Sequence, residues 1–199
     1  MKKHFLIASF VLLTLTTLNS CKKDSASTDS DCVNTTQWIK DGHKFSYKNF
    51  PLLFPGDSVF LEIKEVSPNV FQSINKTSLY TLSSSYIQPC GNIAYESTVS
   101  SMANKQISLK LDGDIGESWA VSAQSGQGYG ATLTTTIKEK NVMVTVPAGT
   151  FACIKYTTVV VSSNPSTPTT SVDSYYNSKY GLIKIIGLYV HYELAKANY

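Results

Sequence analysis

The stretch Val142-Met143-Val144-Thr145-Val146-Pro147-Ala148-Gly149-Thr150-Phe151-Ala152-Cys153-Ile154-Lys155-Tyr156 decides the fold. Val142, Val144 and Val146 recur at every second position, the period of a strand with one face on a core. Pro147 has no N–H for a ladder and Gly149 accepts positive φ, so Pro147-Ala148-Gly149 reads as a sharp corner. Phe151, Cys153 and Lys155 then alternate with Ala152, Ile154 and Tyr156. The run continues through Thr157-Thr158-Val159-Val160-Val161 as a second, longer strand.

The same period recurs on both sides. Lys44 to Phe50 alternates and is stopped by Pro51 and Pro55-Gly56-Asp57, after which Ser58 to Val66 is a second strand. Leu79 to Ile87 and Asn92 to Val99 flank Pro89-Cys90-Gly91 as a hairpin, and Gln106 to Leu111 alternates again. Tyr129 to Lys140 leads into the central pair; Ser171 to Tyr176, Gly181 to Ile186 and Leu188 to Ala195 follow it. Val70 to Ser78 is ambiguous, because Val70, Phe71 and Ile74 fit one helical face as well as a short strand. The expectation is an all-β chain of about ten strands in a curved antiparallel sheet with at most one or two short helices. A partly open β-barrel is the first choice of architecture and a β-sandwich the alternative.

Composition agrees. Of 199 residues, 42% are hydrophobic and 16% charged, which suits one folded domain rather than a disordered chain. The formal charge is +3, and every basic residue is lysine. A chain without arginine lacks the planar fork that grips phosphate, carboxylate or guanine in two places, so nucleic acid is not an expected partner.

Met1-Lys2-Lys3-His4 followed by the apolar run Phe5 to Leu18 has the charged start and short apolar middle of a secretory signal. Leu18-Asn19-Ser20-Cys21 resembles the lipobox of bacterial lipoproteins. The resemblance implies a signal peptide over residues 1–20, acylation of Cys21 and a membrane partner reached through that lipid. Lys22 after the cysteine, by analogy with Gram-negative sorting, points to the outer membrane, on its periplasmic face or at the cell surface. Residues 21–31 are Lys, Asp, Ser, Thr and Ala beyond the cysteine and read as a flexible tether. One β domain is expected over residues 32–199.

Val144-Thr145-Val146-Pro147-Ala148-Gly149-Thr150-Phe151 also sits in a longer order of motifs. Gly116-Glu117-Ser118-Trp119 precedes it; Tyr175-Tyr176 and Lys179-Tyr180-Gly181-Leu182-Ile183-Lys184 follow. This order resembles uncharacterised bacterial exported β-rich proteins with GxxW, VPAGTF and YY…GLVK elements. The resemblance implies a curved antiparallel sheet, distantly like the half-barrels of lipoprotein carriers, and brings no catalytic residues.

With Cys21 acylated, Cys32, Cys90 and Cys153 remain in an oxidising compartment. Cys32 opens the domain among polar residues and Cys90 lies in a turn, whereas Cys153 sits on a strand with apolar neighbours. A Cys32–Cys90 disulfide is expected, with Cys153 as a buried free thiol. Asp112-Gly113-Asp114-Ile115-Gly116-Glu117 clusters carboxylates around glycines but lacks the spacing of a calcium loop, so it reads as a turn. His43 and His191 are far apart, and no serine elbow or metal-ligand spacing is present. Glu62, Glu65, Glu96, Glu117 and Glu193 alternate with apolar neighbours and read as solvent-facing. No catalytic residue, cofactor or metal is expected.

The functional expectation is a non-catalytic lipoprotein that binds a hydrophobic or glycan ligand, with Trp38, Trp119, Tyr175, Tyr176, Tyr180, Tyr189 and Tyr192 as aromatic candidates. The alternative is a scaffold or assembly subunit that works through an envelope-protein partner.

Overall fold

The structure, a computed structural model, describes residues 32–49, 58–78, 81–124, 130–188 and 190–198. The signal segment 1–20, the lipobox with Cys21, the tether 21–31, most of the glycine-rich stretch after Gln124, and Tyr189 lie outside the described residues. From Cys32 onward the chain forms one compact unit.

Twelve strands are described and no helix: β1 Lys44–Asn49, β2 Val59–Ser67, β3 Val70–Lys76, β4 Thr81–Cys90, β5 Ile93–Ser97 and β6 Gln106–Lys110 in the first half. The second half holds β7 Ser118–Gln124, β8 Gly130–Val146, β9 Gly149–Ser162, β10 Thr170–Asn177, β11 Gly181–Gly187 and β12 His191–Asn198. They form a single antiparallel sheet in the order β6-β5-β4-β3-β2-β1-β12-β11-β10-β9-β8-β7, nearly closed into a barrel. One continuous sheet replaces the sandwich alternative. The ambiguous stretch is strand β3. Phe71 and Ser73 face inward, and its pairing with β2 and β4 on either side outweighs the helical reading.

The connectivity is almost entirely hairpin to hairpin. The one long-range step joins β1 to β12, with Phe45 opposite Ala197 and Tyr47 opposite Leu194. This pairing ties the two halves together. Inward-facing Phe45, Tyr47, Leu61, Ile63, Ile137, Tyr156, Ile183 and Leu194 belong to one buried cluster that fills part of the barrel.

The central pair is β8 and β9, and it is bent. Ile137 faces Tyr156 and Val142 faces Cys153, so the register slips at two places between Ile137 and Val142, next to Asn141 with a φ of 59°. Extra residues on one strand bend it and increase its twist. The tip beyond the bend turns over the barrel, where the Ala148 N–H donates to the Leu194 carbonyl at 3.0 Å. Pro147 and Ala148 form the corner, and the positive φ of 135° falls on Gly149.

The expected turn at Pro89-Cys90-Gly91-Asn92 is shorter than the sequence suggested. Pro89 lies inside β4 opposite Ala94, and the turn is Gly91-Asn92. Proline is tolerated there because β3 stops pairing with β4 at Ile87, so no ladder bond is lost. β12 also begins later than expected, at His191 rather than Leu188.

The lead-in Val33 to His43 is not a strand but is firmly held. Cys32 is disulfide-bonded to Cys90, Asn34 bridges Gly91, and the Asn69 amide donates to the carbonyls of both Cys32 (2.9 Å) and Pro89 (3.0 Å). Within the lead-in, Thr36, Trp38 and Ile39 are buried.

Candidate functional site

The sheet begins at β6 and ends at β7, consecutive strands that share no backbone ladder among the described residues. At the turn end, the Lys110 ammonium meets Glu117 at 2.5 Å and the Tyr156 hydroxyl donates to the Lys110 carbonyl at 2.5 Å. Halfway along, the Gln106 side-chain amide acts as a peptide group. Its Nε2 donates to the Ser122 carbonyl at 3.1 Å, and its Oε1 accepts from the Ser122 N–H at 2.9 Å. A side chain therefore spans the gap that backbone would span between ordinary neighbours.

A cavity of about 520 Å³ lies along this seam. Its lining comes from five strands: Ser85 of β4, Glu96 and Ser97 of β5, Gln106 and Ile107 of β6, Val121 of β7 and Leu133 of β8. Val99, Ala103 and Asn104 of the connecting loop form a rim. That rim is fixed. Ser97, itself buried, donates to the Ala103 carbonyl at 2.8 Å and accepts from the Val99 N–H at 3.2 Å. Met102 and Asn104 hold φ of 55° and 57°, and such left-handed non-glycine residues store about 1–3 kcal/mol of strain apiece. The volume is in the range of small-molecule sites.

Glu96 is the one ionisable residue in this lining, and among the described residues no cation pairs with it. Lys105 is next to the lining, but its ammonium donates to Gln88 at 2.7 Å and lies over the Tyr95 ring. Glu96 also acts at a distance. Burial pushes the Tyr176 phenol up to about 12, and the charge of Glu96 adds to that shift.

The aromatic candidates are elsewhere. Trp38 packs near Tyr176, with ring centres 6.4 Å apart. Trp119 meets Tyr156 edge-on at 6.1 Å, and Tyr156 meets Tyr176 edge-on at 5.7 Å. Tyr180 packs on Phe151, Tyr175 lies beside the Lys155 ammonium, and Tyr192 packs against the core. None of these six lines the seam cavity. They fill or border the core, and the cavity walls are made instead by Ser, Val, Ile and Leu, residue types too common to stand out in a sequence.

The histidines do not meet. His43 Nδ1 lies 3.2 Å from the Trp38 carbonyl, just before β1, whereas His191 opens β12. Asp112 to Glu117 is a turn in which Glu117 accepts from Lys110 and from the Asp114 N–H, and no cluster suited to a metal ion occurs among the described residues. Burial raises the Cys153 thiol to about 11, so it is inert at neutral pH.

Glu193 is a correction to the solvent-facing reading. Its side chain is only 14% exposed and takes the Lys184 ammonium at 2.6 Å and His191 Nε2 at 3.3 Å. Burial pushes its carboxyl up, but the hydrogen bonds and charges of Lys184 and His191 outweigh burial and leave it below the usual carboxylate value. Cross-strand pairing with Lys184 makes this possible, and single-strand alternation cannot reveal it.

Two solved structures share the fold. One is a Bacteroides fragilis protein described as exported and as having a YmcC-like fold, with 8% identity and a TM-score of 0.57 over 84% of this chain and 100% of its own. The other is a Parabacteroides distasonis protein described as a lipoprotein, with 10% identity and a TM-score of 0.56 over 83% of this chain and 100% of its own. At such identity the likeness is one of fold. No family model matches the chain, and no curated protein matches it.

Proposed function

We propose that this chain is an outer-membrane lipoprotein, anchored through acylated Cys21, whose β domain binds a hydrophobic ligand without transforming it. The observation that carries the binding reading is the seam cavity, where Ile107, Val121 and Leu133 from three strands converge beside a fixed rim. Its lining combines apolar side chains with hydroxyls and a single carboxylate, a make-up that suits a ligand-binding site. The anchoring reading rests on Leu18-Asn19-Ser20-Cys21, in keeping with the exported protein and the lipoprotein that share the fold.

Lipid extraction and mass spectrometry of the purified domain test the first part. Co-purified apolar ligand, lost on replacing Leu133 by a bulky polar residue, is the expected result; a clean protein that takes up no lipid on incubation argues against it. Incorporation of labelled palmitate into the full-length chain, absent from Cys21→Ser, tests the anchor.

A scaffold role is the second reading. Val159, Val161 and Ile186 share the outer face across β9 to β11, and Leu188 follows at 58% exposure. An apolar outer surface of this kind suits an envelope-protein partner.

A further inference from the structure

The seam cavity is apolar on one side and anionic on the other. Ile107, Val121 and Leu133 supply the apolar wall, while Glu96 on β5 presents a carboxylate with hydroxyls of Ser85 and Ser97 nearby in the lining. Ser97 is already committed to Ala103 and Val99, and Glu96 is the one ionisable group in the lining. Several carboxylates at the sheet's outer face are matched: Glu62 with Lys76 and Lys44, Glu117 with Lys110, Glu139 and Asp173 with Lys155, Glu193 with Lys184. Glu96 on β5 has no such partner among the described residues, and neither has Glu65 at the end of β2, but only Glu96 lines the cavity.

Lys105 follows from the same loop, and its ammonium donates to Gln88 at 2.7 Å and lies over the Tyr95 ring. Glu96 is exposed to solvent at the open side of the cavity, so its attraction for a cation is the modest one of an accessible ion pair beside an apolar wall. An anionic head would meet only repulsion, because the lining supplies no positive side chain.

We infer that the seam cavity takes an amphiphile with one apolar chain and a cationic ammonium head, the chain lying along Ile107, Val121 and Leu133 and the head pairing with Glu96. This rests on the hydrophobic-ligand reading above and sharpens it from apolar to cationic. The contact is non-covalent and requires no co-reactant.

The test uses the chain from residue 22 onward, which keeps the whole compact unit that begins at Cys32 and its disulfide. Displacement of the neutral fluorophore N-phenyl-1-naphthylamine is followed at neutral pH with dodecylammonium and dodecanoate, each below its micelle concentration, and dodecanol below its solubility limit. Dodecylammonium is expected to bind roughly tenfold more tightly than dodecanoate. Glu96→Gln should abolish that preference and leave dodecanol within about twofold, with an unchanged circular dichroism spectrum showing that the variant folds. Should dodecanoate bind as well as dodecylammonium, or the preference survive in Glu96→Gln, the cationic class is overturned while the hydrophobic reading stands. Failure of all three to displace the fluorophore overturns both.

Discussion

Gly181 lies directly beneath the indole of Trp38: a Cβ added to it would stand 2.8 Å from Trp38 Cδ2, and its φ is 72°. Both the conformation and the space at this position admit glycine alone. The contact holds the lead-in segment against the start of β11.

Gly181→Ala is therefore expected to destabilise the fold by roughly 2–4 kcal/mol, the sum of left-handed strain and overpacking. Gly116→Ala is the control, because its φ of 91° imposes the strain while a Cβ there meets nothing within 4 Å. Urea unfolding of the two variants should give a clearly larger midpoint shift for position 181. Equal shifts would mean that the Trp38 ring moves aside freely.

Gln106→Leu keeps the bulk at the seam and removes both bonds to Ser122. The pair is exposed, so the expected cost in global stability is small, about 0.5–1.5 kcal/mol. Local dynamics should respond more. Amide hydrogen exchange at Ser122 is expected to accelerate well beyond the change that global unfolding accounts for, and unchanged exchange there would show that the side-chain bridge does not hold β7.

Acid should weaken the fold through Glu193 and Glu62. Desolvation pushes the Glu193 carboxyl up and Lys184 and His191 more than reverse it; the Lys76 hydrogen bond is the largest influence lowering Glu62. Both folded-state values lie below the unfolded one. Their stabilisation is thus fully present above the unfolded carboxylate value, near pH 4.5, and is lost as pH falls through the folded value. Thermal unfolding between about pH 6 and pH 3 should show a falling melting temperature, with a shallower fall in Glu193→Gln. A variant that follows the parent curve would remove Glu193 from this account.

The cysteines should separate cleanly by reactivity. Cys153 is 1% exposed and its thiol is raised to about 11 by burial, so maleimide should label the native protein only at the rate of unfolding. Replacing Cys32 and Cys90 by serine opens a loop with a separation of 58 residues, which costs about 4 kcal/mol on loop entropy. In that variant Cys153 should label markedly faster. Rapid labelling of the native parent would contradict the buried placement.

Strand content was legible in the sequence wherever apolar residues alternated, and the Val142 to Tyr156 corner is the plainest case. The bend before it was not. The slip between Ile137 and Val142 depends on how Glu139 and Lys155 pair across two strands, which no single strand encodes. β3 was ambiguous because Val70, Phe71 and Ile74 satisfy two periods at once, and only its flanking partners decide between them. The cavity was the least legible part. It is assembled from β4 to β8, and its informative members, Gln106 and Glu96, look in isolation like ordinary surface residues of alternating strands. Large aromatics drew attention instead, and packing claimed them for the core.

The staple at Cys32 also has a mechanical side. Tension on anything attached upstream reaches the fold at Cys90, on an interior strand with neighbours on both flanks, before it can act on Val33 to His43. The Asn69 amide, bonded to Cys32 and Pro89 at once, spreads that load to the β2–β3 corner. A tug from that end must therefore shear several ladders together instead of unzipping β1 one residue at a time.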